Sequence, residues 1–363
     1  RPLKPGYKLA FEYSDCWVDD ARFVVLNARD AADRGAAIHV RTRVVSAQRE
    51  NGAWSIELDG EAGRQTVRAR MLVNASGPWV DTVINDVLGR QGVRNVRLVQ
   101  GSHIVVKRLF DHDRCYFFQN SDGRIFFAIP YEGDFTLIGT TDRDYLGDPA
   151  KVAISSEETD YLIRAANEYF ARGIGRDDIV WSYSGVRPLF DDGASAAQEA
   201  TRDYVLKLEG DGETGAVVNV FGGKLTTSRR LAESVLDRIE QVLGRKGPAW
   251  TAKSTLPGGD FGPKSFEAEV RRLGLDYPDL PASLLTRLMR LYGTRARAIL
   301  GESKSLADLG ENFGADLHEA EVDYLITNEW ARTAQDVLWR RTKLGLKVGP
   351  DEVARLETYL ASN

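Results

Sequence analysis

Cysteine is scarce. Only Cys16 and Cys115 occur in 363 residues, which excludes a disulfide framework and points to two free, mostly structural thiols in a reducing compartment. The four histidines, His39, His103, His112 and His318, show no metal-ligand spacing, and Asp111-His112-Asp113 reads as a solvated loop rather than a metal site. No apolar run approaches the ~18 residues of a transmembrane helix. The opening residues, Arg1-Pro-Leu-Lys-Pro-Gly6, lack a signal-peptide core. There is no initiator Met, so the chain reads as a fragment or a processed product. A net charge of −5 gives no reason to expect nucleic acid as a partner. Phosphate-loop, nucleophile-elbow and His-Glu-x-x-His patterns do not stand out, which leaves hydrolase and kinase readings without positive support.

What is there centres on Val217-Val-Asn-Val-Phe-Gly-Gly-Lys-Leu-Thr-Thr-Ser228. The apolar, β-branched start predicts a buried strand. Gly222 and Gly223 allow a tight turn and close approach of a ligand. Thr226, Thr227 and Ser228 offer cap oxygens, and Leu231, Val235, Ile239 and Leu243 form one helical face. Free N–H groups and a positive dipole end would then face an anionic or electron-rich ligand, with Lys224 inside the turn. An ordinary strand–helix connection with an exposed lysine fits the same residues.

Upstream, Asp19 or Asp20 is expected to cap a helix running toward Gly35. Ile38-His-Val40 and Arg43 to Gln48 read as strands, and Asn51-Gly52 as a hairpin turn before Trp54–Leu58. Met71-Leu-Val-Asn-Ala75 is a strand broken by Ser76-Gly77-Pro78, with a helix from Trp79 to Leu88. Gly101–Val106, Arg124–Ile129, Phe135–Gly139, Ile179–Ser184 and Thr201–Leu208 read as strands. Ser155-Ser-Glu-Glu158 begins a helix with a capping-box pattern. After a Gly/Pro/Lys-rich linker the pattern turns helical to the end.

Besides Lys224, three side chains stand out for chemistry. His103, between Ser102 and an apolar run, is suited to take a proton near neutral pH, or is simply a hydrogen-bonded strand histidine. Arg187, held before Pro188, suits bidentate contact with a carboxylate or phosphate, or a structural ion pair. Arg202 carries the same two readings. With Lys224, these cations near strand ends favour a small anionic substrate over a polymer.

The strings Glu12–Arg22, Asn74–Val80, Gly101–Val106, Ile138–Asp142, Gly185–Leu189, Thr201–Tyr204, Phe221–Thr227 and Leu338–Lys343 together resemble the FAD-dependent, aerobic glycerol-3-phosphate dehydrogenases, across essentially the whole chain and in order. The resemblance implies an α/β flavoprotein fold of the amino-acid-oxidase type with an α+β substrate sheet and a C-terminal all-α domain. It implies FAD as cofactor and oxidation of sn-glycerol 3-phosphate to dihydroxyacetone phosphate. Electrons would pass to ubiquinone or menaquinone, with peripheral attachment at the inner face of the cell membrane and a homodimer as a further expectation. Under it, His103, Arg187 and Lys224 are catalytic, and the same three with Arg202 bind substrate. Val44, Asn74, Ala75, Ser76, Gly77, Pro78, Gly222, Gly223, Lys224, Leu225, Thr226 and Thr227 lie along the FAD.

The expected domains are residues 1–95 as the remainder of an FAD-binding domain, 96–208 as an antiparallel substrate domain, 209–250 as a return to the FAD domain, 251–263 as a linker and 264–363 as the helical domain. One departure is large. The family's N-terminal Gly-x-Gly-x-x-Gly fingerprint for the FAD pyrophosphate precedes this sequence and has no replacement in it, so the chain is expected to be N-terminally truncated, to hold FAD poorly and to be inactive alone. A glycerol-3-phosphate oxidase using oxygen and a non-catalytic phosphometabolite-binding module are the alternatives.

Overall fold

The computed structural model describes residues 1–191 and 203–362. Its elements begin with helix α1 (Asp20–Asp33), the meander β1 (Arg43–Glu50), β2 (Ala53–Gly60) and β3 (Gly63–Ala69), then β4 (Met71–Asn74) and a short helix, α2 (Val80–Thr82). Next come β5 (Val96–Lys107), β6 (Tyr116–Gln119), β7 (Ile125–Tyr131), β8 (Phe135–Gly139), β9 (Arg143–Asp144), α3 (Ser156–Tyr169), β10 (Ile179–Phe190), β11 (Tyr204–Glu209), β12 (Ala216–Gly222) and α4 (Ser228–Leu243). The rest is helical: α5 (Phe266–Asp276), α6 (Ala282–Tyr292), α7 (Ala296–Leu300), α8 (Glu319–Glu329) and α9 (Pro350–Ser362). Two compact units result, one of residues 1–15 and 41–249, the other of 16–40 and 250–363.

In the first unit a six-stranded antiparallel sheet runs β10-β5-β8-β7-β6, with β9 paired to β5. Alternation along β5 sends Ile104 and Val106 back onto Leu162, Ala165 and Ala166 of α3 in one apolar cluster. Val99, Gly101, His103 and Val105 face the front. The register puts His103 opposite Tyr183 and Gly139, and Gly101 opposite Gly185. A second sheet, β11-β12-β4, contains the parallel pair β12–β4, with Asn219 level with Asn74. The meander β1-β2-β3 is the third; Asn51 and Gly52 both take positive φ at its first turn, as a type I′ turn requires.

In the second unit Leu273, Leu284, Leu288, Leu325, Val337 and Leu356 share one core. Helix α1 belongs here, whereas the sequence reading grouped it with residues 1–95. Buried charges tie it in. Arg22 reaches Glu329, with Nη2 2.9 Å from Oε1, and Lys343 Nζ stands 2.8 Å from Asp19 Oδ1. Hydrophobic periodicity carries no trace of such distant pairs.

Local differences have physical causes. Ile38–Val40, read as a strand, is not strand in the structure; an apolar-alternating triplet is too short to specify pairing. Residues 77–87 wind as 3-10, α and π turns rather than one regular helix, beginning with Pro78 at the first turn. Strands β5 and β10 run twelve residues each, longer than read, because each forms an antiparallel ladder with the other over nearly its full length.

Candidate functional site

The front of the six-stranded sheet gathers the polar chemistry. Arg187, on β10, donates from Nη1 to Asp142 Oδ1 at 3.1 Å and from Nη2 to Thr140 Oγ1 at 3.1 Å. Asp142 and Thr140 come from the connection between β8 and β9. Gly101 lies directly beneath: a Cβ there would stand 2.6 and 2.7 Å from the two terminal guanidinium nitrogens. The absence of a side chain therefore lets the guanidinium lie flat over β5.

His103 stacks on Tyr183 with ring centroids 4.8 Å apart and planes 7° from parallel. On its other neighbour, β8, Gly139 leaves room for the imidazole, which a methyl group would overlap. Nδ1 is buried without a hydrogen-bond partner among the described residues. Burial, with the nearby Arg187 charge as the second cause, pulls the imidazole pKa from 6.5 down to about 4. Both causes disfavour the cation, so the ring is neutral at physiological pH.

The two glycine turns lie at the carboxyl ends of the parallel pair. After β4, Asn74 is buried and its side chain is committed internally. Its Nδ2 donates to Val80 O at 3.0 Å and to Asn219 Oδ1 at 2.9 Å, and its Oδ1 accepts from Ser76 Oγ at 2.6 Å. Ala75 is exposed, Ser76, Gly77 and Pro78 half-buried, and Gly77 has φ +56°. After β12, Gly222 and Gly223 have φ +71° and +102°. A Cβ on Gly222 would press on Asp203 O at 2.9 Å, with Pro188 O at 3.6 Å, so the turn abuts the end of β10 one residue beyond Arg187. Lys224, Leu225, Thr226 and Thr227 are exposed. The Lys224 side chain has no partner among the described residues. Thr227 makes no side-chain cap to α4, whose first N–H, on Ser228, donates to Leu225 O of the 3-10 turn Leu225–Thr227 that leads into it.

The structure thus brings His103 and Arg187 together, and sets the Gly222–Thr227 turn against the end of β10. Val44 stands elsewhere, on β1 at a bulge, 39% exposed. Arg202 lies outside the described residues. Thr140, Asp142, Tyr183, Gly101 and Gly139 escaped the sequence reading as site residues. Their partners are set by long-range register, and the only local signal was glycine inside two otherwise β-branched strands.

Gly210-Asp-Gly212-Glu-Thr-Gly215 has the dinucleotide-fingerprint spacing. It joins antiparallel β11 to β12, with Asp211 Oδ1 accepting from the backbone of Glu213 and Thr214. A phosphate loop needs a helix N-terminus after the glycines, and here a strand follows.

Comparison with known proteins fixes the family. A model described as FAD dependent oxidoreductase matches residues 1–229, and one described as the C-terminal domain of alpha-glycerophosphate oxidase matches residues 249–358. A glycerol-3-phosphate dehydrogenase of Pseudomonas aeruginosa is 49% identical over 362 residues, covering 99% of this chain and 70% of that protein. The chain belongs to the FAD-dependent glycerol-3-phosphate dehydrogenase family. The aerobic glycerol-3-phosphate dehydrogenase of Escherichia coli is 45% identical over 99% of this chain and 72% of its own length. A D-erythritol 1-phosphate dehydrogenase of Brucella abortus is 48% identical over 94% of this chain and 68% of its own. Among solved structures, the Bacillus halodurans glycerol-3-phosphate dehydrogenase complexed with FAD superposes with a TM-score of 0.74 at 26% identity, over 95% of this chain and 72% of that one. As a member of this family the chain is an oxidoreductase with FAD as its cofactor, and the flavoprotein fold with a C-terminal helical domain expected from its sequence is what it has.

Proposed function

We propose that this enzyme oxidises sn-glycerol 3-phosphate to dihydroxyacetone phosphate at the front of the six-stranded sheet, and that its electrons pass on to a membrane quinone, ubiquinone or menaquinone. The observation that carries the reading is the juxtaposition of a neutral, half-buried imidazole and a braced guanidinium on one sheet face. A secondary alcohol beside a phosphate calls for such a pair, a proton acceptor at the hydroxyl and a fixed donor fork for the phosphate.

The residues present fit FAD. Positive-φ glycines turn the chain just after β4 and at the end of β12, and the short 3-10 turn Leu225–Thr227 after β12 has no side-chain cap at its N-terminus. Asn74 to Pro78 and Gly222 to Thr227 would line it, with Val44 toward its adenine end. Bound FAD supplies a hydride acceptor. Arg187 binds the substrate phosphate, its orientation set by Asp142 and Thr140, and Lys224 and Arg202 add positive charge. His103 takes the hydroxyl proton as the hydride leaves carbon 2. Tyr183 holds the imidazole plane, and Asn74 shapes its turn from within.

The relatives' names leave two polyol phosphates to separate. Dye-linked oxidation by the FAD-loaded enzyme, with sn-glycerol 3-phosphate and D-erythritol 1-phosphate compared by kcat/KM, decides between them. The glycerol substrate should be preferred. Preference for the tetritol phosphate would move the substrate assignment while leaving the site in place. An oxidase reading, favoured by the name of the matched C-terminal domain, requires stoichiometric peroxide under air. Among the described residues no helix is long and apolar enough to cross a membrane, so access to quinone is proposed through peripheral attachment, which flotation with anionic vesicles tests. A homodimer is read by sedimentation.

A further inference from the structure

Behind the sheet, directly under the site, lies a buried polar cluster that the chemistry above does not use. Glu158, on the first turn of α3, is 6% exposed, with Gln100, Ser102 and Thr141 at 5%, 0% and 2%. Its Oε1 accepts from Ser102 Oγ at 2.9 Å and Thr141 Oγ1 at 2.5 Å. Its Oε2 accepts from Gln100 Nε2 at 2.9 Å and the backbone N–H of Ser155 at 3.0 Å. Ser102 Oγ also meets Ser184 Oγ of β10 at 2.8 Å. With the Ser102 proton directed at the carboxylate, Ser184 is the donor there. Ser102 N–H donates to Thr141 Oγ1 at 2.9 Å.

Three residues of this cluster are sequence neighbours of front-face residues. Ser102 adjoins His103, Thr141 lies between Thr140 and Asp142, and Ser184 adjoins Tyr183. In strands and extended connections neighbours face opposite sides, so the back-face cluster fixes the backbone from which the front-face groups project. We propose that Glu158 is a positioning residue for the reaction: one buried carboxylate ties β5 to the β8–β9 connection, with β10 joined through Ser102, and thereby sets the places of His103 and of the Thr140–Asp142 brace on Arg187. This rests on the function proposed above for that site. Gln100 and Ser155 complete the carboxylate's four hydrogen bonds.

A purely structural role is the competing account, because Glu158 also closes the capping box of α3 with Ser155. Ser155→Ala removes the cap oxygen but leaves Glu158 in place, and separates the two. The experiment compares wild type, Glu158→Gln, Glu158→Leu and Ser155→Ala in three readouts: thermal midpoint, the His103 imidazole titration by NMR from about pH 3 to 8, spanning its midpoint near 4, and sn-glycerol 3-phosphate affinity by calorimetry. Removing a negative charge would by itself lower the His103 midpoint, so a rise reports displacement of the ring from its burial and from Arg187.

The expected result is that Ser155→Ala loses thermal stability with the His103 midpoint and the affinity unchanged. Glu158→Gln brings the His103 midpoint up by about one unit or more and weakens affinity roughly 10- to 100-fold. Glu158→Leu, if it folds, does so more strongly; if it does not, Glu158→Gln decides. Wild-type midpoint and affinity in Glu158→Gln, or the same changes in Ser155→Ala, would overturn the proposal. A His103 shift in Glu158→Gln when wild type itself binds no sn-glycerol 3-phosphate upholds the positioning role and removes the substrate reading instead.

Discussion

Replacing Gly101 by alanine should remove activity while leaving the fold nearly untouched. The new methyl would sit 2.6 and 2.7 Å from the Arg187 terminal nitrogens and 2.7 Å from Thr140 Oγ1, about 0.8 Å inside ordinary van der Waals contact at 3.4 Å. What must give is the far end of a flexible side chain. The guanidinium lifts off the sheet and loses its bonds to Asp142 and Thr140. That ion pair is partly exposed, at 33% and 16% for its two side chains, so its loss lowers stability by about 1 kcal/mol or less. Reduced unfolded-state entropy from Gly→Ala offsets roughly 0.4–1 kcal/mol of that. Displacing a substrate-positioning group by close to 1 Å is worth on the order of 100-fold in rate. Dye-linked kinetics on the FAD-loaded protein, beside a thermal melt, measures both. The expected outcome is kcat/KM down by about two orders of magnitude with the melting temperature within a few degrees. A G101A enzyme of near wild-type kcat/KM, or one that loses its fold, would refute the placement of Arg187.

Other perturbations test separate parts. His103 is neutral in the folded chain down to about pH 4 but titrates near 6.5 when unfolded, so the unfolded state binds the extra proton in between and stability falls as pH drops through that window. At full extent this is roughly 3 kcal/mol, and His103→Phe should flatten the slope of urea stability against pH between 6.5 and 4. Glu329→Ala strands the buried Arg22 and Arg341 side chains that face it, and should lower the stability of the helical unit by about 3–5 kcal/mol in chemical denaturation; a pairwise Arg22→Met/Glu329→Leu exchange should lose much less. Asn74→Ala leaves Asn219, Ser76 and Val80 O without their buried partner, a loss of roughly 2–3 kcal/mol. It should also loosen FAD retention on desalting.

The local architecture was largely legible in the sequence. Asn51-Gly52 located the first hairpin, Asp19 the start of α1 through its side-chain cap on Arg22 N–H, and Ser155/Glu158 the start of α3. These are signals a few residues long whose chemistry is complete within one turn. Strand β6 went unread because Tyr116-Phe-Phe-Gln119 is short and takes its place only by pairing with β7. His103 and Arg187 were visible as residue types beside glycine or proline. That Asp142 braces Arg187, that Tyr183 stacks on His103 and that Glu158 lies behind both depends on the β5–β10 and β5–β8 registers, which join residues tens of positions apart. The same holds for α1, whose attachment to the helical unit rests on Arg22–Glu329 and Asp19–Lys343.

The most direct test of the account is anaerobic flavin reduction. The FAD-loaded protein is mixed with sn-glycerol 3-phosphate, and the oxidised-flavin absorbance is followed in wild type and in Arg187→Ala. Rapid bleaching in the wild type, slowed by orders of magnitude in the variant and accompanied by formation of dihydroxyacetone phosphate, is the predicted result. A wild-type flavin that stays oxidised, or one that bleaches equally fast without Arg187, would contradict it.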